Sequence, residues 1–204
     1  MAVASKIDIC NMALAHLGKP SITSLTDGSP EARTCARLYD GARRASLVRS
    51  PWTFARRTRA LSVVADNPLS DFWSTRYDLP KDMLKIHRLL EDPSDPMGNH
   101  LPIASYVEEG SVFANTEGLY LLFIVDSEQT QRWSALFDDA VALQLAARMA
   151  PTLTRRKGDV NELRDAYVDA IGLAAEVDGQ QESATYTFHE GGYADDRAAG
   201  SVWE

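Results

Sequence analysis

Five prolines break the middle third of the chain into short segments, and they constrain the fold more than any other feature of the sequence. They are Pro68, Pro80, Pro93, Pro96 and Pro102. Because proline lacks the backbone N–H that helices and central strands need, we expect no long helix to cross this region. The segments between them include FWSTRYDL, MLKIHRLL, IASYVEE, SVFAN and GLYLLFIVD. These aromatic and β-branched runs predict a small antiparallel sheet, sandwich or barrel over residues 52–131. MLKIHRLLE also fits a helix, but its flanking prolines favour a strand.

The sequence before this region predicts two helices. Ser5 is a candidate N-cap for a helix that ends near Leu17, just before the sequence Gly-Lys-Pro. Ser29 caps a second helix, which starts at Pro30 and ends near Arg49, before Ser-Pro.

Helical periodicity returns after the proline-rich region. A broad apolar stripe runs from Trp133 to Pro151, and heptad-like spacing follows from Val160 to Val177. The two patterns predict a helical hairpin that turns at TRRKGD. Beyond Asp178 the composition becomes polar and glycine-bearing, which is typical of an arm without a core of its own.

The predicted fold class is α+β, with a helical bundle built from N- and C-terminal helix pairs. The bundle comprises residues 1–51 and 132–178, the β-rich insertion comprises 52–131, and the extended C-terminal arm comprises 179–204. An insertion of this kind leaves the two helix pairs free to pack together.

Composition and length restrict the class of protein. The chain has 204 residues, 45% of them hydrophobic, and a formal net charge of -8, which is typical of a soluble globular protein. The longest apolar run, GLYLLFIV, is much shorter than the roughly 20 residues of a membrane-spanning helix, so we expect no membrane partner. The N-terminal sequence lacks a signal-peptide pattern, so we do not expect secretion.

The two cysteines, Cys10 and Cys35, each lie on the apolar side of a predicted helix. Buried free thiols are the simplest interpretation in a reducing cytoplasm, and a disulfide between the two helices is the alternative. The four histidines show no metal-ligand spacing with each other or with the cysteines, so we expect no metal site.

Recognisable catalytic motifs are missing from the sequence. It contains no Walker loop, no GxGxxG, no HExxH, no GxSxG and no paired CxxC. Adjacent acids such as Glu108 and Glu109 diverge on a strand or helix, and solvated surface explains them best. The sequence therefore predicts a protein that is not an enzyme and uses no cofactor.

Positive charge is concentrated in one segment of this acidic chain. From Arg43 to Arg59 there are six arginines and no acid, whereas residues 159–204 contain eleven acids and two arginines. Solvated helix faces could give the same counts, and a nucleic-acid contact is another interpretation. We favour a surface facing another subunit, because arginine suits protein interfaces and opposite charges attract neighbouring copies. The candidate interface residues are Arg43, Arg44, Arg49, Arg56 and Arg57.

Specific DNA recognition fits the sequence less well. A dedicated DNA-binding protein usually has a basic balance, with lysine and arginine mixed on one face. This chain has a pI near 5.0, and its arginines flank Pro-Trp and Phe.

Isolated aromatic residues mark the predicted arm: Tyr186, Phe188, Tyr193 and Trp203. A disordered tail is one interpretation. The other is an arm that orders on a partner, with each aromatic filling a pocket.

Several sequence segments together resemble one family. They are IDICNMALAHLGKPSITSL, YDGARRASLVRSPWTFARR, the WSTRYDLP segment that ends at Pro80, and FDDAVALQLAARMAPTLT. In these segments the chain resembles the head-to-tail adaptors of short-tailed bacteriophages, a family that includes the tail tubular protein A type. The most specific match combines the YD-x2-R and SPW-x-FA motifs.

The resemblance implies a structural virion protein of the neck, assembled in the host cytoplasm. Family members form a homo-oligomeric ring, usually twelvefold, beneath the portal protein. The bundle and C-terminal segment meet the portal, and the β region extends toward the tail nozzle protein. Genomic double-stranded DNA passes through the channel without sequence-specific recognition.

The residues that match the family motifs are expected at the junction between bundle and β region. They are Tyr39, Asp40, Pro51, Trp52, Phe54, Trp73 and Tyr77. Two rival functions remain for comparison: a DNA-binding or packaging accessory protein, and an enzyme of unrecognised type.

Overall fold

A computed structural model describes residues 5–94, 102–154 and 157–186. The four helices are α1 (Lys6–His16), α2 (Pro30–Leu47), α3 (Ala135–Leu153) and α4 (Lys157–Tyr186). The strands are β1 (Arg56–Ala60), β2 (Ser62–Val64), β3 (Thr75–Asp78), β4 (Met83–Leu90), β5 (Ser105–Glu108), β6 (Ser111–Ala114) and β7 (Tyr120–Val125). A short 3₁₀ turn at Thr130–Arg132 precedes α3. The chain is therefore α+β, as the sequence predicts.

Serine side chains begin three of the helices. Ser5 Oγ accepts from the N–H of Asp8 at 3.2 Å, and the Asp8 carboxylate accepts from the N–H of Ser5 at 2.8 Å. The Ser5 hydroxyl also donates to the Asp8 carboxylate at 2.7 Å. This bond, followed by the one from the Ser5 N–H, lowers the pKa of Asp8. Ser29 and Ser134 cap α2 and α3 in the same way. Helix α1 ends one residue before the expected Leu17, and α2 ends two residues before Arg49.

Helix α3 lies at the centre of the helical packing. It contacts α1, α2 and α4, and its buried alanines let these neighbours approach closely. Near one end of α3, Cys35 Sγ of α2 lies 3.5 Å from Met149 Sδ. Near the other end, the Trp52 and Phe137 rings are 4.8 Å apart. Helix α2 therefore runs antiparallel to α3. Buried side chains of the four helices form one cluster that also includes Trp52, Ala55 and Ile124. We call this cluster the helical core.

The strands form two antiparallel sheets that share a second buried cluster, the sandwich core. The first sheet has the order β1-β7-β4, and the second has the order β2-β3-β6-β5. MLKIHRLL is strand β4, as the flanking prolines predict. Strand β1 was not expected, because its sequence RRTRA has no alternation of apolar and polar residues.

Strand β7 is buried on both faces. Leu121, Phe123 and Val125 belong to the sandwich core, whereas Ile124 packs in the helical core. This double burial explains why the segment reads as a continuous apolar run rather than an alternating one. The strand thereby couples the two cores.

Helix α4 continues past the predicted end of the folded region. The predicted boundary at Asp178 is wrong, because residues 179–186 are helical. Their polar composition indicated an arm, but alanine, glutamate and glutamine are also good helix formers on a solvated face. Among the residues that the structure describes, no helix is both long and apolar enough to cross a membrane.

Candidate functional site

Four aromatic side chains join the helical core to the β region. Phe137 of α3 lies at the centre, with its ring 4.8 Å from Trp52, 5.0 Å from Phe54 and 5.0 Å from Trp133. Trp52 is fully buried, and its Nε1 donates to the backbone oxygen of Ser46 at 3.2 Å. Such edge-to-face packing fixes the direction of the chain as it leaves α2 and enters β1.

A buried arginine lies beside this aromatic cluster. Arg43 is only 1% exposed, and its Nη2 lies 2.8 Å from Asp126 Oδ1 and 3.3 Å from Glu128 Oε1. Arg43 Nε forms no hydrogen bond with the described residues, so charge rather than aligned hydrogen bonding holds this group. The prediction that Arg43 faces another subunit is wrong, because its guanidinium is enclosed by acids of its own chain.

The other predicted interface arginines occupy different environments. Arg44 Nε donates to Asp126 Oδ2 at 2.7 Å, although 56% of its side chain is exposed. Arg49 is exposed beyond the end of α2, and Arg56 is partly buried on β1. Arg57 is exposed and lies 4.0 Å from Asp82. The structure therefore does not gather the five arginines into one free surface.

Asp82 is a second acid that balances this basic segment. Arg59 Nη1 lies 3.3 Å from Asp82 Oδ1, on the same side of β1 as Arg57. The Arg59 guanidinium also lies 5.5 Å from the centre of the Phe123 ring. The arginines of β1 thus cover the edge of the sandwich core with their stems and pair their charges with Asp82.

The predicted junction residues lie in three different places. Pro51, Trp52 and Phe54 lie at the junction, with Pro51 half-buried before the aromatic pair. Tyr39 is buried between α1 and α2, where Lys6 Nζ lies 4.5 Å from its ring centre and 3.3 Å from Asp40. Burial raises the pKa of Tyr39.

Trp73 and Tyr77 do not lie at the junction, so this part of the prediction is wrong. Trp73 lies in the loop before β3, and its backbone oxygen accepts from Asn67. Tyr77 is fully buried in the sandwich core, and its hydroxyl donates to the backbone oxygen of Thr116. Both residues therefore belong to the β region rather than to the junction.

Asp178 is a junction residue that the sequence analysis missed. Its Oδ2 accepts from the N–H of Thr53 at 2.8 Å, and its Oδ1 accepts from the Thr53 hydroxyl at 2.7 Å. These bonds tie α4 to the segment that follows α2. The signal was an acid at a position where the helical spacing of Tyr167, Ile171 and Ala174 predicts a buried face.

Asp138 is a buried acid in the first turn of α3. Burial, followed by the charge of the neighbouring Asp139, raises the pKa of Asp138 to about 7. Its Oδ1 accepts no hydrogen bond from the described residues. The carboxyl is therefore protonated at pH values below about 7.

A cavity of about 230 Å³ opens beside Phe54 of the aromatic cluster. Its lining includes Arg57, Asp82, Asp126 and Glu128. These charged groups take part in the ion pairs described above, so they neutralise and position one another. Within the described part of the chain, no three His, Cys, Asp or Glu side chains form a group suited to a metal ion.

The aromatic residues of the predicted arm fall at or beyond the limit of the described residues. Tyr186 is the last residue of α4. Phe188, Tyr193 and Trp203 lie outside the described residues.

Comparison with known proteins gives no family assignment. No protein-family model matches the chain, and no curated protein matches it.

Proposed function

We propose that the chain is a subunit of a head-to-tail adaptor ring in a short-tailed bacteriophage. In this proposal the ring docks beneath the portal, completes the DNA-filled head and carries the tail nozzle. The four helices form the portal-side bundle, and the β region forms the tail side. Genomic DNA passes through the channel without sequence specificity.

The observation that carries this proposal is the closely packed junction between the two cores. The SPW-x-FA motif, which gives the family resemblance, supplies Trp52 and Phe54 of the aromatic cluster. The YD-x2-R motif supplies Arg43, whose charge reaches Asp126 at the end of β7. An adaptor must hold its head-facing and tail-facing parts in a fixed relation, and this junction suits that requirement.

In the proposed ring, residues after Tyr186 dock on the portal. The separated aromatics Phe188, Tyr193 and Trp203 provide the anchors that such contacts use. Since α4 continues to Tyr186, the docking segment starts there rather than at Asp178.

A truncation after Tyr186 tests this proposal. We expect the full chain to co-sediment with its portal, and the truncated chain to keep its helical signal and melting temperature but lose portal binding. A control with Phe188, Tyr193 and Trp203 each replaced by alanine keeps the length constant and should also lose binding. Portal binding by the truncated chain would exclude this role for the segment. Failure of the full chain to bind would contradict the adaptor function itself.

One observation favours the accessory DNA-binding protein as a second candidate. Arg33 and Arg37 are exposed on α2, where they could contact phosphates. This candidate predicts DNA affinity that falls steeply between low and moderate salt. A mobility shift that is absent at low salt would dismiss it.

A further inference from the structure

Two helices of this chain carry exposed stripes of opposite charge. The basic stripe on α2 consists of Arg33, Arg37 and Arg44, and the acidic stripe on α4 consists of Asp165, Asp169 and Glu176; all six residues are exposed. In both stripes the three residues share one helix face, because they are separated by four and then seven positions.

The two stripes have identical spacing. In each stripe the first and last residues are eleven positions apart, or about 16 Å along the helix axis. When the helices are placed parallel and in register, all three arginines face an acid. In an antiparallel arrangement only the two outer positions coincide, and the middle charges are three residues apart.

Most of these charges form no ion pair within the described part of their own subunit. Among the described residues, Arg33, Arg37, Asp165, Asp169 and Glu176 form no ion pair. Arg44 pairs with Asp126 through Nε but keeps more than half of its side chain exposed. The Arg148 side chain lies across Gly41, where an added Cβ would be 2.8 Å from Nη1. It brings another cation to the same side of α2.

The residues flanking the stripes also complement each other. Val168 and Leu173 of α4 are large apolar side chains that are 53% and 51% exposed. On α2, the flank of the basic stripe that Arg148 does not cover carries the small, exposed Ala36. A contact between the two helices would remove the apolar surface of Val168 and Leu173 from water.

Helix directions fit a parallel contact between copies. Within one subunit, Ser46 near the end of α2 lies beside Tyr167 of α4, with 3.5 Å between their hydroxyl oxygens. Thr53, beyond the end of α2, bonds to Asp178, which lies further along α4. Helices α2 and α4 therefore point the same way. Rotation about an axis close to that direction keeps α4 of the next copy parallel to α2.

We propose that α2 of one copy packs in parallel against α4 of a second copy, with Arg33 facing Asp165, Arg37 facing Asp169 and Arg44 facing Glu176. The contact uses different surfaces on the two partners, so each copy has one surface of each kind left to extend the assembly, and a suitable rotation closes a ring. The inference specifies how the proposed adaptor ring is held together, but the contact forms between isolated chains and does not require the portal.

Charge reversal with complementation tests this pairing. The first variant is Arg33→Glu with Arg37→Glu, and the second is Asp165→Lys with Asp169→Lys. Each variant alone places like charges opposite each other, so sedimentation velocity at low salt should show self-association weakened roughly tenfold or more. An equimolar mixture should recover assembly, because every contact in an alternating ring then joins opposite charges.

Controls with the same net charge separate pairing from general charge effects. Lys81→Glu with Arg132→Glu matches the first variant, and Glu108→Lys with Glu117→Lys matches the second; all four residues are exposed away from the stripes. Neither control should change association by more than about twofold, and their mixture should behave like the wild type. Circular dichroism should show all variants folded.

Three results would overturn the proposal. The first is a wild-type chain that stays monomeric at low salt and high concentration. The second is a mixture that assembles no better than its separate variants. The third is loss of salt-sensitive DNA binding in Arg33→Glu with Arg37→Glu while self-association is unchanged, which would assign the basic stripe to nucleic acid. Portal binding is measured separately, so the adaptor function and the pairing can fail independently.

Discussion

The environment of Arg43 differs from that of Arg44, although the two residues are adjacent in the sequence. Successive helix positions differ by about 100° around the axis, so Arg43 turns inward and Arg44 outward. The acid that pairs with both is Asp126, which is 82 and 83 positions away in the sequence. No local pattern contains that contact, which is why the sequence predicted a shared role for the two arginines.

Replacing Arg43 should destabilise the free monomer. Arg43→Met removes the buried charge and leaves Asp126 facing an apolar group, so we expect a loss of roughly 2–4 kcal/mol of unfolding free energy. Arg49→Met, at an exposed position, should change it by less than about 0.5 kcal/mol. Urea denaturation measures both. An Arg43→Met chain with the free energy of unfolding of the wild type but without self-association would instead support the predicted interface role of Arg43.

The raised pKa of Asp138 predicts a pH-dependent stability. Its folded-state pKa of about 7 lies above the ordinary value of 3.8, so folding favours the protonated form. The contribution of protonated Asp138 to the free energy of unfolding is fully present below pH 3.8 and is lost as the pH rises through 7. The variant Asp138→Asn cannot ionise. Its free energy of unfolding, minus that of the wild type, should therefore be roughly 1–3 kcal/mol larger at pH 8 than at pH 5.

Chemical denaturation at the two pH values checks the Asp138 prediction. The exposed neighbour provides the control, because Asp139→Asn should give a much smaller pH-dependent difference. An Asp138→Asn effect that is the same at pH 5 and pH 8 would show that this carboxyl titrates normally.

At the scale of the elements, the hydrogen bonds from Thr53 to Asp178 hold α4 against the start of the β region. Asp178→Ala leaves a donor of Thr53 unpaired in a part-buried site, so we expect a loss of roughly 1–3 kcal/mol. Hydrogen exchange should accelerate most in the second half of α4. The exposed Glu162→Ala, outside the acidic stripe, serves as the control and should leave exchange in the second half of α4 unchanged. Uniform acceleration over all helices would contradict a local role.

The helices were easier to predict than the strands because their signals are local. Serine caps and apolar periodicity placed all four, with errors of a few residues at most ends. Strand β1 lacked such a signal, since its arginines are ordered by Asp82 and the Phe123 ring from distant parts of the chain. The end of α4 was misplaced because polar composition alone does not distinguish a solvated helix face from an arm.

At the scale of the whole molecule, the sequence correctly separated helical and β-rich regions and indicated a charge asymmetry. It assigned that asymmetry to arginines near Trp52, several of which pair with Asp82, Asp126 or Glu128 of the same chain. Of these arginines, only Arg44 also belongs to the basic stripe. Exposed charges of opposite sign lie along α2 and α4. Their shared spacing becomes visible only when burial identifies which residues of each helix face outward.

The most direct test of the account is cryo-electron microscopy of the chain bound to its portal. We predict a closed ring of copies beneath the portal, with α2 of each copy parallel to α4 of its neighbour and the β region directed away from the portal. Virions with full heads and attached tails whose necks lack this protein would contradict the account.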